Sequence, residues 1–204
     1  MKTVIISGSH RDPSQSHKVA SHIRDLIQDK TPGDEAEIFA LANNPLPLWD
    51  QGVWEGDPEW QRHLNPLRAL LQSSDALVVV SPEWHGQAPA GLKNFFLFCS
   101  SKEVGHKPAL IVTVSAGDGG AYPVAELRMS SYKNNRICYI PEQVIVRHAE
   151  DMLNPDGATK DPEADLYIRE RIDWALGVLR EYAVALSRVR ASGATETEKF
   201  RNGM

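Results

Sequence analysis

The chain has 204 residues, 42% hydrophobic and 24% charged, with a formal net charge of −5 and a pI near 5.8. Such a composition suits a globular chain with one substantial core, and its acidic balance argues against a nucleic-acid binder, which normally shows a basic face. No apolar run approaches the ~20 residues of a membrane span, and no basic n-region with a small-residue cleavage site opens the chain. Cys99 and Cys138 are too few and too far apart for a disulfide framework. The expectation is a cytoplasmic protein with reduced thiols. The seven histidines are scattered, with no H-E-x-x-H and no close Cys/His spacing, so no metal site is expected.

In chain order, Thr3–Ser7 reads as a buried strand, and Ser16–Asp29 as a helix with Val19, His22, Ile23, Leu26 and Ile27 on one face. Thr31-Pro32-Gly33-Asp34 is a turn, and Ala36–Leu41 a second strand. The segment Ala42–Glu59 carries prolines at 45, 47 and 58 and tryptophans at 49 and 54. A loop of that length inside a compact domain is usually functional. Its tryptophans suit a cover over a ligand or another subunit, with a self-packed surface loop as the alternative.

Glu59–Ser73 is a second helix, with Leu64, Leu67, Leu70 and Leu71 as its apolar stripe. Asp75–Ser81 is apolar enough for a central parallel strand. Pro82–Gly86 is a turn, Pro89–Ser100 a third helix, and Ala109–Ser115 another buried strand. A glycine-rich turn, Ala116–Gly120, precedes a fourth helix, Tyr122–Asn134. Ile137–Ile140 and Gln143–Val146 form an extended region interrupted at Pro141. Asp165–Arg188 is a long amphipathic helix, and 191–204 is expected to be a polar, disordered tail.

This β-α alternation predicts one α/β domain over residues 1–190, a five-stranded, doubly wound parallel sheet of order 2-1-3-4-5 with helices on both faces. In such sheets ligands bind beyond the carboxyl ends of the strands, at the switch point between strands 1 and 3. The turns after Ser7, Ser81 and Val114 project there.

The first of these, Ser7 to His17, runs from a strand into a helix N-terminus. Unpaired N–H groups and the helix dipole make that an anion site. Ser9, Ser14 and Ser16 add hydroxyls, and Arg11 adds a planar fork suited to phosphate, so the loop reads as a phosphomonoester cradle. A polar turn capped by Ser14 or Ser16, with Arg11 solvated, is the plainer alternative. Neither G-x-G-x-x-G nor G-x-x-x-x-G-K-[ST] occurs.

The second turn, Pro82-Glu83-Trp84-His85-Gly86 with Pro89, Leu92, Lys93 and Asn94 beyond it, resembles the P-E-Y-N-G-x-x-P-x-x-L-K-N signature of the NADPH-dependent FMN reductases. Gly8-Ser9-His10-Arg11 with Ser14 is similar to that family's G-S-x-R-x-x-S phosphate loop. Pro45–Asp50 resembles its P-L-Y-D stretch, and Pro141-Glu142-Gln143-Val144 its P-E-Q-V. These landmarks fall in order over about the first 150 residues. Trp84 and His85 depart from the family's Tyr and Asn, which bears on flavin affinity.

The resemblance implies a flavodoxin-like oxidoreductase that uses FMN, with NADPH or NADH as co-substrate. The electron acceptor would be a quinone, flavin, azo compound or metal oxyanion. It implies FMN phosphate binding by Ser9, Arg11, Ser14, Gln15 and Ser16, and a ring lined by Pro82, Glu83, Trp84, His85, Gly86, Ser115 and Gly117. No protein residue need act catalytically, because the flavin carries the chemistry. It also implies a homodimer or homotetramer whose neighbouring subunits complete the cleft. The competing expectations are a flavodoxin-type electron carrier and a flavin-free interaction protein.

Overall fold

The structure, a computed structural model, describes residues 1–196 and 198–200. Five parallel strands, β1 (Lys2–Ser7), β2 (Glu35–Ala40), β3 (Ala76–Pro82), β4 (Pro108–Val114) and β5 (Cys138–Val146), form one sheet in the order β2-β1-β3-β4-β5. The helices are α1 (Gln15–Lys30), α2 (Gly52–Glu55), α3 (Pro58–Gln72), α4 (Ala90–Leu97), α5 (Ser101–Val104), α6 (Ala121–Met129) and α7 (Pro162–Ala191). The predicted strand order holds.

Every residue of β3 and β4 is buried, as the unbroken apolar runs require of central parallel strands. Alternate side chains feed two cores. Ile5, Val78, Val80, Leu110 and Val112 pack with Val19 and Ile23 of α1 and Ile172 and Leu179 of α7. Val4, Ile6, Leu77, Val79 and Ile111 pack with Leu67 and Leu71 of α3, Leu92 and Phe95 of α4, and Leu127 of α6. The period-two pleat thus divides one sequence run between two opposite layers.

Local chemistry sets the helix starts. Asp57 and Asp161 accept from N–H groups of the first turns of α3 and α7, and a proline at N1 follows each. Ser100 and Glu103 form a capping box that starts α5, a short helix beyond the predicted helix Pro89–Ser100, which itself shortens to α4.

β5 runs through Pro141 rather than breaking there. A register shift against β4 between Ala109 and Ile111 absorbs it, and β5 is an edge strand, where a missing N–H is tolerated. The guanidinium of Arg128 gathers the carbonyls of Ile140, Pro141 and Glu142 at 2.8–3.3 Å.

The predicted tail begins one residue late, since α7 extends to Ala191. Residues 192–196 and 198–200 carry neither helix nor strand, and Thr197 and 201–204 lie outside the described residues. Among the described residues no helix is long and apolar enough to cross a membrane. Both thiols are free, Cys99 buried and Cys138 half-buried.

Candidate functional site

The loops after β1, β3 and β4 leave the sheet at the same edge, because the strands end in register: Ser7 opposite Val80, Pro82 opposite Val114, and Val114 opposite Val146. Each loop is fastened at its base to the neighbouring strand. Gly8 N–H donates to Val80 O at 2.8 Å, Glu83 N–H to Val114 O at 2.9 Å, and Ser115 N–H to Val146 O at 2.9 Å. A Cβ at Gly8 would stand 2.8 Å from Val80 O, so this base admits only glycine without a shift.

In the first loop, Ser9 is buried and its Oγ accepts Arg11 N–H at 3.2 Å, folding the loop back on itself. Ser14 is the N-cap of α1 and accepts His17 N–H at 3.1 Å. Gln15 and Ser16 are then the first helical residues, and their N–H groups have no intrahelical acceptor. Gln15 Oε1 is buried with no hydrogen-bond partner. The Arg11 side chain is exposed, and its guanidinium has no partner among the described residues. Ser9, Arg11, Ser14, Gln15 and Ser16 therefore share one short stretch around a helix N-terminus.

In the second loop, Trp84 and Gln87 exchange two backbone hydrogen bonds of 3.0 Å around His85 and Gly86. His85 has φ 50° and Gly86 φ 70°, the positive pair that a two-residue type I′ hairpin needs. Asn and His are the larger residues that tolerate this region best. The position's preference for Asn in the family signature thus has a backbone cause, and His85 meets the same demand. The Glu83 carboxylate turns to the third loop, where Oε2 accepts Gly120 N–H at 2.7 Å and Tyr122 N–H at 3.3 Å. It caps α6.

In the third loop, Ser115 Oγ accepts Gly117 N–H at 3.3 Å, and Gly117 is exposed, with open space where a side chain would stand. His10 ties the first loop to the second: its ring meets that of Trp84 edge-on at 5.5 Å, and a Cβ on Gly91 would fall 1.9 Å from its Nε2. Burial lowers the His10 pKa.

Two residues of the L-K-N stretch have roles that sequence reasoning left unassigned. Asn94 is buried at the foot of the long loop, where Oδ1 accepts Trp49 N–H and Nδ2 donates to Pro47 O, both at 2.8 Å. Lys93 pairs with Glu126 Oε1 at 2.5 Å, and Glu126 Oε2 accepts Ala88 N–H at 2.7 Å. Burial pushes the Glu126 carboxyl up, but the bonds from Lys93 and Ala88 outweigh it and hold the pKa below the ordinary value. Asp50 Oδ1 accepts from Gly52 N–H and Trp60 Nε1, so the segment 45–60, which holds α2 and the first turn of α3 where one long loop was expected, is pinned, with Trp49 and Trp54 edge-on at 4.6 Å. Leu48 and Trp54 nevertheless stay 79% and 78% exposed. The signal for Asn94 was an amide inside an apolar helix, where only a specific pairing justifies its burial.

Residues 1–151 match the family model described as NADPH-dependent FMN reductase. The chain belongs to this family. Among its relatives, an NADPH azoreductase of Bacillus sp. (strain OY1-2) is 29% identical over 153 residues, 74% of this chain and 80% of the relative. An FMN-dependent NADPH-azoreductase of Staphylococcus aureus (strain USA300) is 27% identical over 173 residues, 84% of this chain and 90% of the relative. The solved structure of FerB, a flavoenzyme NAD(P)H:acceptor oxidoreductase from Paracoccus denitrificans, superposes with a TM-score of 0.66 at 22% identity, covering 92% of this chain and 97% of FerB. That likeness is one of fold. The family's sequence landmarks coincide here with the loop bases, the type I′ hairpin and the Asn94 clamp.

Proposed function

We propose that this member of the family is an FMN-dependent oxidoreductase that takes reducing equivalents from NADPH or NADH and passes them to a quinone, a flavin, an azo compound or a metal oxyanion. The observation that carries the reading is the first loop. Arg11 and the N–H groups of Gln15 and Ser16, unpartnered among the described residues, lie with the serine hydroxyls in one short stretch that runs into a helix N-terminus, a donor set that fits a phosphomonoester of about −1.5 to −2 charge. The orphaned Gln15 Oε1 suits a hydroxyl donor such as a ribityl chain.

In this reading Ser9, Arg11, Ser14, Gln15 and Ser16 hold the phosphate. Pro82, Glu83, Trp84, His85, Gly86, Ser115 and Gly117 surround the ring, chiefly through main-chain groups. Glu83 acts at one remove, by fixing the third loop. The bound flavin supplies the two-electron chemistry. The protein binds and orients it and holds the loops around it rigid. Residues 1–190 work as one cytoplasmic domain.

The pinned but exposed loop carrying Leu48 and Trp54, together with Leu97 and Met129 at 61% and 78% exposure, supports a homodimer or homotetramer that covers this apolar surface. Sedimentation at micromolar concentration tests it, and a fully active monomer would overturn it.

The test of function is anaerobic. The purified protein should be yellow, bleach on addition of NADPH or NADH, and recover its colour when a quinone or azo dye is added. A flavin that stays oxidised with both nicotinamides would make the protein a carrier. A colourless protein that takes up no added FMN would make it a binding module.

A further inference from the structure

The junction between β5 and α7 is laced to the third loop. Arg147 Nε donates to Gly119 O at 3.1 Å, His148 N–H donates to Gly117 O at 3.3 Å, and His148 Nε2 lies 2.9 Å from Asp118 Oδ1. Arg147 is exposed and spends only its Nε–H on that contact, so both terminal NH2 groups have no partner among the described residues. The neighbouring carboxylate, Asp118, is engaged by His148. Beside them Gly117 leaves open space. The rim of the third loop therefore carries a guanidinium fork, anchored at one corner and free at the other two.

NADPH and NADH differ by one phosphomonoester on the adenosine ribose. A planar fork held at Nε presents two parallel N–H donors at the spacing of phosphate oxygens, while a lysine in its place would act only as a point charge. Arg11 is the exposed arginine of the first loop, and the flavin phosphate already claims it in the reading above. We propose that Arg147 binds the 2′-phosphate of NADPH and sets a preference for NADPH over NADH. This rests on the flavin–nicotinamide function proposed above and names the residue that selects the co-substrate.

The FMN-loaded chain and its Arg147→Gln and Arg147→Lys variants would be compared by kcat/KM for both nicotinamides. Titration calorimetry with adenosine 2′,5′-bisphosphate and with 5′-AMP gives a readout independent of turnover. In Arg147→Gln the NADPH-to-NADH ratio of kcat/KM should fall about tenfold, the lower end for a charge-assisted hydrogen bond. Binding of the bisphosphate should weaken by a similar factor relative to 5′-AMP. Arg147→Lys should recover part of both, because charge without the fork remains. A ratio unchanged within twofold in Arg147→Gln, or equal weakening toward bisphosphate and 5′-AMP, would overturn the assignment. An unmutated protein whose flavin neither nicotinamide reduces would instead overturn the function on which the assignment stands.

Discussion

Glu83 Oε2 accepts Gly120 N–H at 2.7 Å, joining the loop after β3 to the helix start after β4. The acceptor sits where α6 has no side-chain cap of its own, since its N-cap is Gly120. A Cβ at Gly119 would stand 2.6 Å from Glu83 Oε1, so the carboxylate fills the space that a side chain there would need. Glu83→Ala is expected to cost about 1–2 kcal/mol, as loss of a helix cap does, and to weaken FMN binding through loosened loops. Glu83→Gln, which keeps an oxygen acceptor, should recover most of both. Urea unfolding and FMN titration read the two effects. Unchanged stability in Glu83→Ala would remove the capping role.

The Asn94 clamp has a chemical signature. Asn94→Ala leaves Trp49 N–H and Pro47 O unpaired, a loss of about 1–3 kcal/mol. Asn94→Asp is expected to do at least as much damage, because a carboxylate oxygen would face Pro47 O where an amide N–H now donates at 2.8 Å. Tryptophan emission should shift to longer wavelength in both as the stretch around Trp49 loosens. Emission and stability unchanged in Asn94→Asp would mean that the clamp does not hold the loop.

His85, at φ 50°, is expected to tolerate Asn or Gly with little change in stability. Its replacement by Val should cost about 1–2 kcal/mol, the scale for a β-branched or bulky residue forced into the left-handed region. Urea unfolding of the three variants decides, and a Val variant as stable as the parent would contradict the hairpin geometry.

Arg11→Ala should lose about 1.5–3 kcal/mol of FMN affinity, the range for a hydrogen bond to a charged group. Riboflavin, which lacks the phosphate, should bind both forms alike. Equal affinity of the unmutated protein for FMN and riboflavin would rule out the first loop as a phosphate site.

Three histidines tie stability to pH. Burial lowers the pKa of His10, His22 and His106 from 6.5, with Arg169 adding to the effect at His22 and Arg136 and Arg190 at His106. Between each lowered value and 6.5 the unfolded chain binds protons that the folded chain does not, so stability falls as pH drops through that window. Above it the contribution is complete. Tm should therefore begin to decline below about pH 6.5, before carboxylates such as Glu126 and Asp165 protonate. His22→Gln, which cannot titrate, should reduce the decline. A flat Tm from neutral pH down to about pH 5 would refute the assignment.

The fold was legible because β3 and β4 are unbroken apolar runs flanked by helical periods, and alternation of that kind permits few topologies. The first loop was legible for a similar reason, as strand, serines, arginine and helix follow one another in the chain. Glu83 was not. A motif glutamate beside a presumed ligand invites a ligand role, and only the folded geometry brings it within hydrogen-bond reach of Gly120, 37 residues away. The ties of Arg147 and His148 to the third loop were not legible, because nothing in R-H-A marks them until β5 delivers the pair there. Pro141 misled because the sequence does not reveal the register shift between β4 and β5 that absorbs it, even though the predicted order already put that strand at an edge.

The bonds from Gly8 to Val80, Glu83 to Val114 and Ser115 to Val146 extend the sheet's ladder one rung beyond each strand. The amide protons at the loop bases are thus bonded as strand amides are, and hydrogen exchange should find them protected like the strand ends they extend. On the function proposed above, a ligand at these strand ends meets loops whose bases are already fixed by the sheet, so less ordering entropy is charged against its binding. On that reading, readiness of the site and resistance to global unfolding rest on the same rungs, and a substitution that frays one strand end should be felt first as slack in the loops.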